Sequence, residues 1–353
     1  MLVLGAVAGA GSIKFGPASP LKGKHIDAAQ KSSRLKAVHS MVTYLTEAQV
    51  GQLLSPQALL PAMREALIAL SAGQVIQPLR LVMAFASAAD SPPSDQTANA
   101  EHGLLFAKPA QLGSALATKL ITLVPENAEK GLPTLLATII LMDPETGAAQ
   151  AVIEGTTLTA LRTAAVSAVA ADALTSPGTK VVAMLGSGVL ARSHAQMLRL
   201  VRPVSEIRIW SRNPDNVAAC AKEIDGLACA SAQEACTEAD IICTVSNAST
   251  PILKGAWLKP GAFVAAVGAP RPTWRELDDD AMQKSIVIAD QREAAEKESG
   301  DVLLSGAKIY AEIGEILSKK IVLPPEGSTI VFKSLGQAVE DAVAAKLVFD
   351  AAR

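Results

Sequence analysis

The second half of the chain contains the run Val181-Val-Ala-Met-Leu-Gly186-Ser187-Gly188-Val189-Leu190-Ala191, in which an apolar stretch enters a GxGxxA pattern. That order suits a buried strand, a tight turn and the opening of a helix. Gly186 permits the turn, Gly188 lets a pyrophosphate approach backbone N–H groups, and Ala191 lets the helix pack closely on the strand. An anion there rests on the helix N-terminus, where unpaired N–H groups and the dipole favour negative charge. The chemistry implied is dinucleotide binding, with Gly186, Ser187, Gly188, Val189 and Leu190 as the cradle. NAD-selective sites place Asp or Glu about 20 residues further on, at the end of the second strand. Here that strand ends in Ser211-Arg212-Asn213. Ser211 can donate to a ribose 2′-phosphate and Arg212 can pair with it through its planar fork, so NADP(H) is the expected cofactor.

Those residues need a parallel α/β unit to hold them. The pattern supplies one, with strands predicted at 180–185, 206–210, 241–245, 263–267 and 286–290 and helices at 190–200, 216–224, 231–237 and from 292. The preceding region reads differently. Thr46-Glu-Ala-Gln49 is a capping box, and a second helix opens at Ser55-Pro56 and stops at Gly73. Short β-rich runs follow at 79–85, 104–107, 116–123 and 135–142, with Ser91-Pro-Pro-Ser94 as a loop. A long alanine-rich helix over 157–174 then carries Arg162 and Thr163. The tail, 331–352, is predicted as one helix with Leu335, Val339, Val343 and Leu347 on one face, and Ser334-Leu-Gly-Gln337 as its capping box. That stripe, with the β-rich region, suggests a homodimer surface. The expected fold class is α/β. A Rossmann-type NADP-binding domain at 175–312 joins a mixed α+β substrate and dimerisation domain at 43–174 with 313–353. Residues 1–42 read as a basic, disordered extension, for which a targeting role stays open.

Composition narrows the function. Lys and Arg total 32 against 34 Asp and Glu, a net charge of −2, so no basic field attracts nucleic acid or anionic lipid. Aromatic residues make up 3% of the chain, too few for base-stacking platforms. The longest uncharged apolar stretch in the interior, 135–142, falls far short of the roughly 20 residues a membrane-spanning helix needs. Cys220, Cys229, Cys236 and Cys243 fit neither a CxxC motif nor a disulfide framework and read as thiols in a reducing, cytoplasmic setting. No metal site is expected.

Five stretches together resemble the ornithine cyclodeaminase/mu-crystallin family, and its mu-crystallin branch most: Leu161-Arg-Thr-Ala-Ala-Val-Ser167, Leu185-Gly-Ser-Gly188, Val267-Gly-Ala-Pro-Arg-Pro-Thr-Trp-Arg-Glu-Leu-Asp-Asp279, Lys297-Glu-Ser-Gly-Asp-Val-Leu-Leu-Ser-Gly306 and Val331-Phe-Lys-Ser-Leu-Gly336. The resemblance covers nearly everything after Thr43. It implies NADPH-dependent reduction of the C=N bond of cyclic ketimine carboxylates, with thyroid hormone as a further ligand of that branch. It also implies roles. Arg80 and Lys119 match the family's substrate-carboxylate cations, Arg162 and Thr163 its contacts to cofactor phosphate, and Glu298 a glutamate near the substrate nitrogen. Ser334 is expected to face the substrate, and Val267 to line the cofactor.

One departure separates branches of the family. Cyclodeaminases that expel ammonia carry an Asp shortly after the fourth nucleotide-domain strand, and that position here is Ala248. Ornithine cyclisation is therefore not expected. Two alternatives share the motifs: an alanine or N-alkyl amino acid dehydrogenase, and a non-catalytic crystallin-like protein that binds NADPH and hormone.

Overall fold

The computed structural model describes residues 41–87 and 102–353. The expected extension, apart from its last two residues, and the Ser91–Ser94 loop lie outside them.

The first half builds a six-stranded sheet. Its elements are β1 (Thr43–Leu45), α1 (Glu47–Leu53), α2 (Pro56–Ser71), β2 (Leu81–Phe85), β3 (Gly103–Leu112), β4 (Ala115–Leu123), β5 (Leu135–Met142), β6 (Ala149–Glu154) and α3 (Thr156–Leu174). The sheet order is β1-β6-β5-β4-β3-β2, with β2 to β6 antiparallel and β1 parallel to β6. The capping box at Thr46 and Gln49 is present, and Ser55 caps α2 ahead of Pro56 at its first turn. Neither β1 nor β6 was foreseen, since both are short and lack a clear alternation of their own.

Helix α3 links this sheet to the next. Ala164, Ala165, Ala168, Ala170 and Ala171 are all fully buried on it. Such small side chains let neighbouring helices and strands approach closely. They seat α3 against β5 of the first sheet and against two strands of the second. Its charged residue Arg162 is thereby carried into the interior.

The second half is a parallel, eight-stranded sheet. In chain order it contains β7 (Val181–Leu185), α4 (Val189–Val201), β8 (Glu206–Trp210), α5 (Pro214–Ile224), β9 (Leu227–Ala228), α6 (Ala232–Cys236), β10 (Ile241–Thr244), β11 (Phe263–Ala266), α7 (Asp279–Gln283), β12 (Ile286–Ala289), α8 (Arg292–Glu298), α9 (Gly300–Ser305), β13 (Ile309–Glu312), α10 (Ile313–Leu317), β14 (Ile330–Lys333) and α11 (Ala338–Ala351). The order β13-β12-β14-β11-β10-β7-β8-β9 reverses direction between β7 and β10, the switch point at which doubly wound sheets bind ligands. The α/β class with a Rossmann-type unit is thus what the chain forms.

The tail requires a correction. The predicted single helix over 331–352 is a strand followed by a helix. All four residues of β14 are buried between β11 and β12, and Ile330, Val331 and Phe332 suit that position. Its Lys333 is neutralised by Asp301 at 2.8 Å and donates to the Gly268 carbonyl at 2.5 Å. The chain therefore leaves the larger sheet after Lys333, not before residue 313.

The cap and the stripe are corrected with it. Helix α11 begins at Ala338 behind Gln337, whose own side chain makes no cap bond, and Gly336 breaks the backbone path with φ +71°. Ser334 caps nothing: its buried hydroxyl has no hydrogen-bond partner among the described residues. The helix is packed within its own chain against β3, β4, β5, α2 and α3, which buries Leu335 and Val339 of the stripe and leaves Val343 and Leu347 half-buried. Three of the four thiols are buried, and Cys236 and Cys243 are pushed up to about 12 by burial.

Candidate active site

At the switch point the backbone dictates glycine. Gly186 has φ +136°, and a Cβ there would stand 2.5 Å from the Val245 carbonyl oxygen at the end of β10. Gly188 is the N-cap of α4, offers no side chain to the first N–H groups of the helix, and has nothing within 4 Å of where a Cβ would project. Open space and uncapped N–H groups together make a cradle that fits a dinucleotide pyrophosphate. Beside it the Ser187 and Ser211 hydroxyls lie 2.8 Å apart. Arg212 is exposed at the end of β8, and the Asn213 carboxamide caps α5 by accepting from the N–H groups of Asp215 and Asn216. Val189 is exposed on the first turn of α4, and Leu190 packs partly into the core. Val267 is nearly buried after β11, bonded through its N–H to Thr244.

A second locus lies between the N-terminus of α11, the end of α8 and the segment leading into β2. Gln77, Arg80, Lys108, Glu298 and Gly336 are among the residues lining one small pocket there. Arg80 and Glu298 come from positions 218 apart, and Arg80 Nε donates to Glu298 Oε2 at 2.7 Å with Nη2 on the same oxygen. The side chains are 14% and 17% exposed, so the pair is shielded yet reachable. Gln77 fixes the segment. Its carboxamide oxygen accepts from the Val339 N–H at 3.0 Å and its nitrogen donates to Gln337 at 2.9 Å, which satisfies a first-turn donor of α11 from another element. On the far side, Asp290 accepts from the N–H groups of Leu335 and Gly336 at 2.6 and 3.0 Å and so shapes the turn that Ser334 was expected to cap.

Behind the pocket wall sits a buried charge cluster. Arg162 donates to Glu340 at 2.5 Å and to Asp341 at 2.8 Å, and Lys119 donates to Asp341 at 2.6 Å and to Thr159 at 3.2 Å. Burial works against the Asp341 charge, but Arg162, Lys119 and Lys108 outweigh it and hold that carboxyl at about 2. Burial pushes Glu340 up to about 7 against the pull of Arg162. Gly336 is obligatory above this cluster, because a Cβ would fall 2.5 Å from Arg162 Nη1.

Several expected residues stand elsewhere than foreseen. Lys119, assigned to the substrate, is 1% exposed and is not among the residues lining the pocket. Thr163, assigned to phosphate, donates its hydroxyl to the Thr159 carbonyl within α3 at 2.7 Å. Arg162 meets carboxylates. Lys108 and Gln77 were missed. The i, i+2 spacing of Lys108 and Ala110 on one face of β3 was a usable signal for Lys108, whereas its pairing with Lys119 across β3 and β4 shows only in the fold.

After β10 the loop that lacks the cyclodeaminase carboxylate is tied down by a different acid. Glu276, fully buried, accepts from Ser246 N–H at 2.9 Å and from its hydroxyl at 2.5 Å, and the Ala248 N–H donates to the Ser246 hydroxyl at 3.1 Å. Burial, only partly offset by these bonds, raises the Glu276 carboxyl.

Comparison with known proteins adds to this geometry. Residues 40–353 match the ornithine cyclodeaminase/mu-crystallin family. The chain is 45% identical to ketimine reductase mu-crystallin of Mus musculus over 303 residues, 84% of this chain and 92% of that one. It is 33% identical to a Delta(1)-pyrroline-2-carboxylate reductase of Bacillus cereus over 297 residues, 80% of this chain and 88% of the relative. The Thermococcus litoralis Delta(1)-pyrroline-2-carboxylate reductase, solved with NADH and L-proline, superposes with a TM-score of 0.80 at 31% identity, covering 88% of this chain and 97% of that one.

Proposed function

The chain belongs to the ornithine cyclodeaminase/mu-crystallin family, and from that premise we infer that it is an oxidoreductase reducing the C=N bond of cyclic ketimine carboxylates to cyclic amino acids. One observation carries this reading: Arg80 and Glu298, far apart in sequence, meet in a single shielded pocket. A cyclic α-imino acid presents a carboxylate and a nitrogen on adjacent atoms. A guanidinium suits the first and a carboxyl group the second. A nicotinamide cofactor held at the 186–190 cradle would supply the hydride for the ring carbon, and the nitrogen would take one proton. Arg80 orients the substrate through its carboxylate. Glu298 holds or delivers the proton at nitrogen, and it is released to do so when the substrate carboxylate takes over Arg80. Gln77 and Asp290 keep the two sides of the pocket in place. Piperideine-2-carboxylate and pyrroline-2-carboxylate are the simplest substrates of this kind.

The cofactor is proposed to be NADPH, held at the 186–190 cradle with Ser211 and Arg212 on the 2′-phosphate. Support comes from the end of β8, where no carboxylate stands and a serine pair adjoins an exposed arginine. NADPH is expected to bind at least about tenfold more tightly than NADH, about 1.4 kcal/mol, and Arg212→Ala to remove most of that preference. Titration of both cofactors checks this, and equal affinities in the unaltered protein would overturn it.

A homodimer is proposed through β2, an edge strand whose Leu81, Val82 and Met83 are all exposed. Exposed apolar edge strands invite pairing with another chain.

The reading is tested by following NADPH oxidation with both cyclic ketimines and identifying pipecolate and proline as products. Ornithine with catalytic NAD should yield neither proline nor ammonia, because Ala248 offers no carboxylate to accept the amine proton. Ammonia release at an ordinary enzymatic rate would restore the cyclodeaminase reading, and NADPH binding without turnover would favour the non-catalytic one.

A further inference from the structure

A buried acid grips the wall that faces the glycine turn. A Cβ on Gly186 would lie 2.5 Å from the Val245 carbonyl oxygen, so the segment leaving β10 forms the other side of the cradle. The next residue, Ser246, is clamped. Glu276 accepts from its N–H at 2.9 Å and from its hydroxyl at 2.5 Å, and that hydroxyl in turn accepts from the Ala248 N–H at 3.1 Å. The turn at 246–248 therefore depends on an acid 30 positions away. Glu276 is itself fixed from three sides. Its carbonyl accepts from the N–H groups of Ile252 and Leu253 at 2.8 and 3.0 Å, its N–H donates to Asp301 at 2.8 Å, and Gly268 must be glycine beside it, since a Cβ there would stand 2.4 Å from the carboxyl carbon.

This acid is a poor choice for stability alone. Burial works against its charge, and the cation near it is engaged elsewhere: Lys333 donates to Asp301 at 2.8 Å and to the Gly268 carbonyl at 2.5 Å. Its two oxygens are used unequally. Oε1 takes both Ser246 bonds, while Oε2 is buried and has no hydrogen-bond partner among the described residues. The Thr244 hydroxyl is in the same state. Thr244 and Lys333 stand opposite Ala266 in register from either side, so both project from one face of the sheet, and Thr244 is among the groups that act on the Glu276 carboxyl. A buried polar group with unused capacity costs stability, and such departures from a satisfied interior gather at functional sites.

We propose that Glu276 is a positioning residue for the dinucleotide: by holding Ser246 it keeps the wall opposite the glycine turn in the shape that receives the cofactor. The inference rests on the dinucleotide reading of the 186–190 cradle and concerns a residue outside every contact assigned to it. Glu276 acts on the part of the site common to NADPH and NADH, whereas Ser211 and Arg212 act on the 2′-phosphate. A clamp of this kind sets affinity through the fraction of molecules whose cradle is already in the receptive shape.

The test titrates NADPH and NADH by nicotinamide fluorescence, well below the melting temperature of each protein, with the unaltered chain, Glu276→Ala, Glu276→Gln, Ser246→Ala and the Glu276→Ala, Ser246→Ala double variant. Glu276→Ala should weaken both cofactors alike, by roughly 5- to 50-fold, and leave the ratio of the two affinities unchanged. Glu276→Gln keeps an oxygen that accepts from Ser246 and gains an amide that can donate to Thr244, so it should bind within about threefold of the unaltered protein. Ser246→Ala removes the hydroxyl that Glu276 and Ala248 share. It should weaken both cofactors too, and the double variant should lose little more than the stronger single one, because the two residues act as a unit. A merely structural Glu276 predicts a lower Tm with affinity unmoved. Unchanged affinity in Glu276→Ala, a shifted NADPH to NADH ratio, a Glu276→Gln variant as weak as Glu276→Ala, or losses that simply add in the double variant would each overturn the proposal. Should Glu276→Ala not fold, Ser246→Ala decides by itself, and affinity equal to that of the unaltered protein rejects the clamp. If the unaltered protein binds neither cofactor, the cradle reading falls and the clamp with it, whereas binding that ignores both substitutions removes the clamp alone.

Discussion

Glu298→Gln is expected to lower kcat for ketimine reduction by roughly 10²- to 10⁴-fold, the usual range for a general acid–base group, with NADPH affinity unchanged. The substitution keeps the shape of the side chain and an oxygen that can accept from Arg80 Nε, now at 2.7 Å from the carboxylate. What it removes is the titratable proton. An imine accepts hydride well only as the iminium, which a carboxylate stabilises and a carboxylic acid can generate. Glu298 is the last residue of α8, and its place is fixed by the tight junction that follows: a Cβ on Gly300 would stand 2.0 Å from the Trp274 carbonyl oxygen. Because the backbone is held this way, a side-chain substitution should leave the fold intact. Full kcat across the pH range would remove Glu298 from the mechanism.

Arg80→Ala should reduce kcat/KM by about 2 to 4 kcal/mol, the cost of losing a charge-assisted, forked contact in a shielded site. The guanidinium is engaged by Glu298. Removing it withdraws the anchor and leaves Glu298 without its cation. Arg80→Lys separates these effects, since an ammonium restores the charge without the planar fork. Cofactor affinity should be untouched in both variants, and a variant that reduced the ketimine at the normal rate would show that the carboxylate binds elsewhere.

What could be read in the sequence follows from the range over which each feature is encoded. The strand, turn and helix start around Gly186 were legible because they are local. The turn, the close approach and the helix start are all set within 186–191, and Gly186 with φ +136° adopts a conformation that an L side chain rarely takes. The capping box at Thr46 was legible for the same reason. The tail misled because a strand buried on both faces shows no alternation. Residues 330–333 simply extend the apolar period of α11, and the short irregular segment 334–337, with positive φ at Gly336 and an extended Gln337, separates the two elements. Ser334 looked like a cap because the carboxylate that shapes the turn, Asp290, lies in another strand segment.

The pocket was only partly legible. Arg80 and Glu298 stood out through family resemblance, yet their contact spans 218 positions and no local pattern encodes it. Lys108 and Lys119 face each other through the register of β3 on β4, which the turn at Gly113 sets. Gln77 acts through the backbone of α11, a bond visible only once the fold brings the two together.

The most direct measurement follows the hydride itself. NADPH carrying deuterium at the transferable C4 position, incubated with piperideine-2-carboxylate and the unaltered protein, should give pipecolate with one deuterium on the ring carbon that bears the carboxylate. One equivalent of NADPH should be consumed per molecule formed. Pipecolate formed without deuterium at that carbon, or NADPH consumed with no cyclic amino acid produced, would contradict the assignment of this protein as a reductase of cyclic ketimine carboxylates.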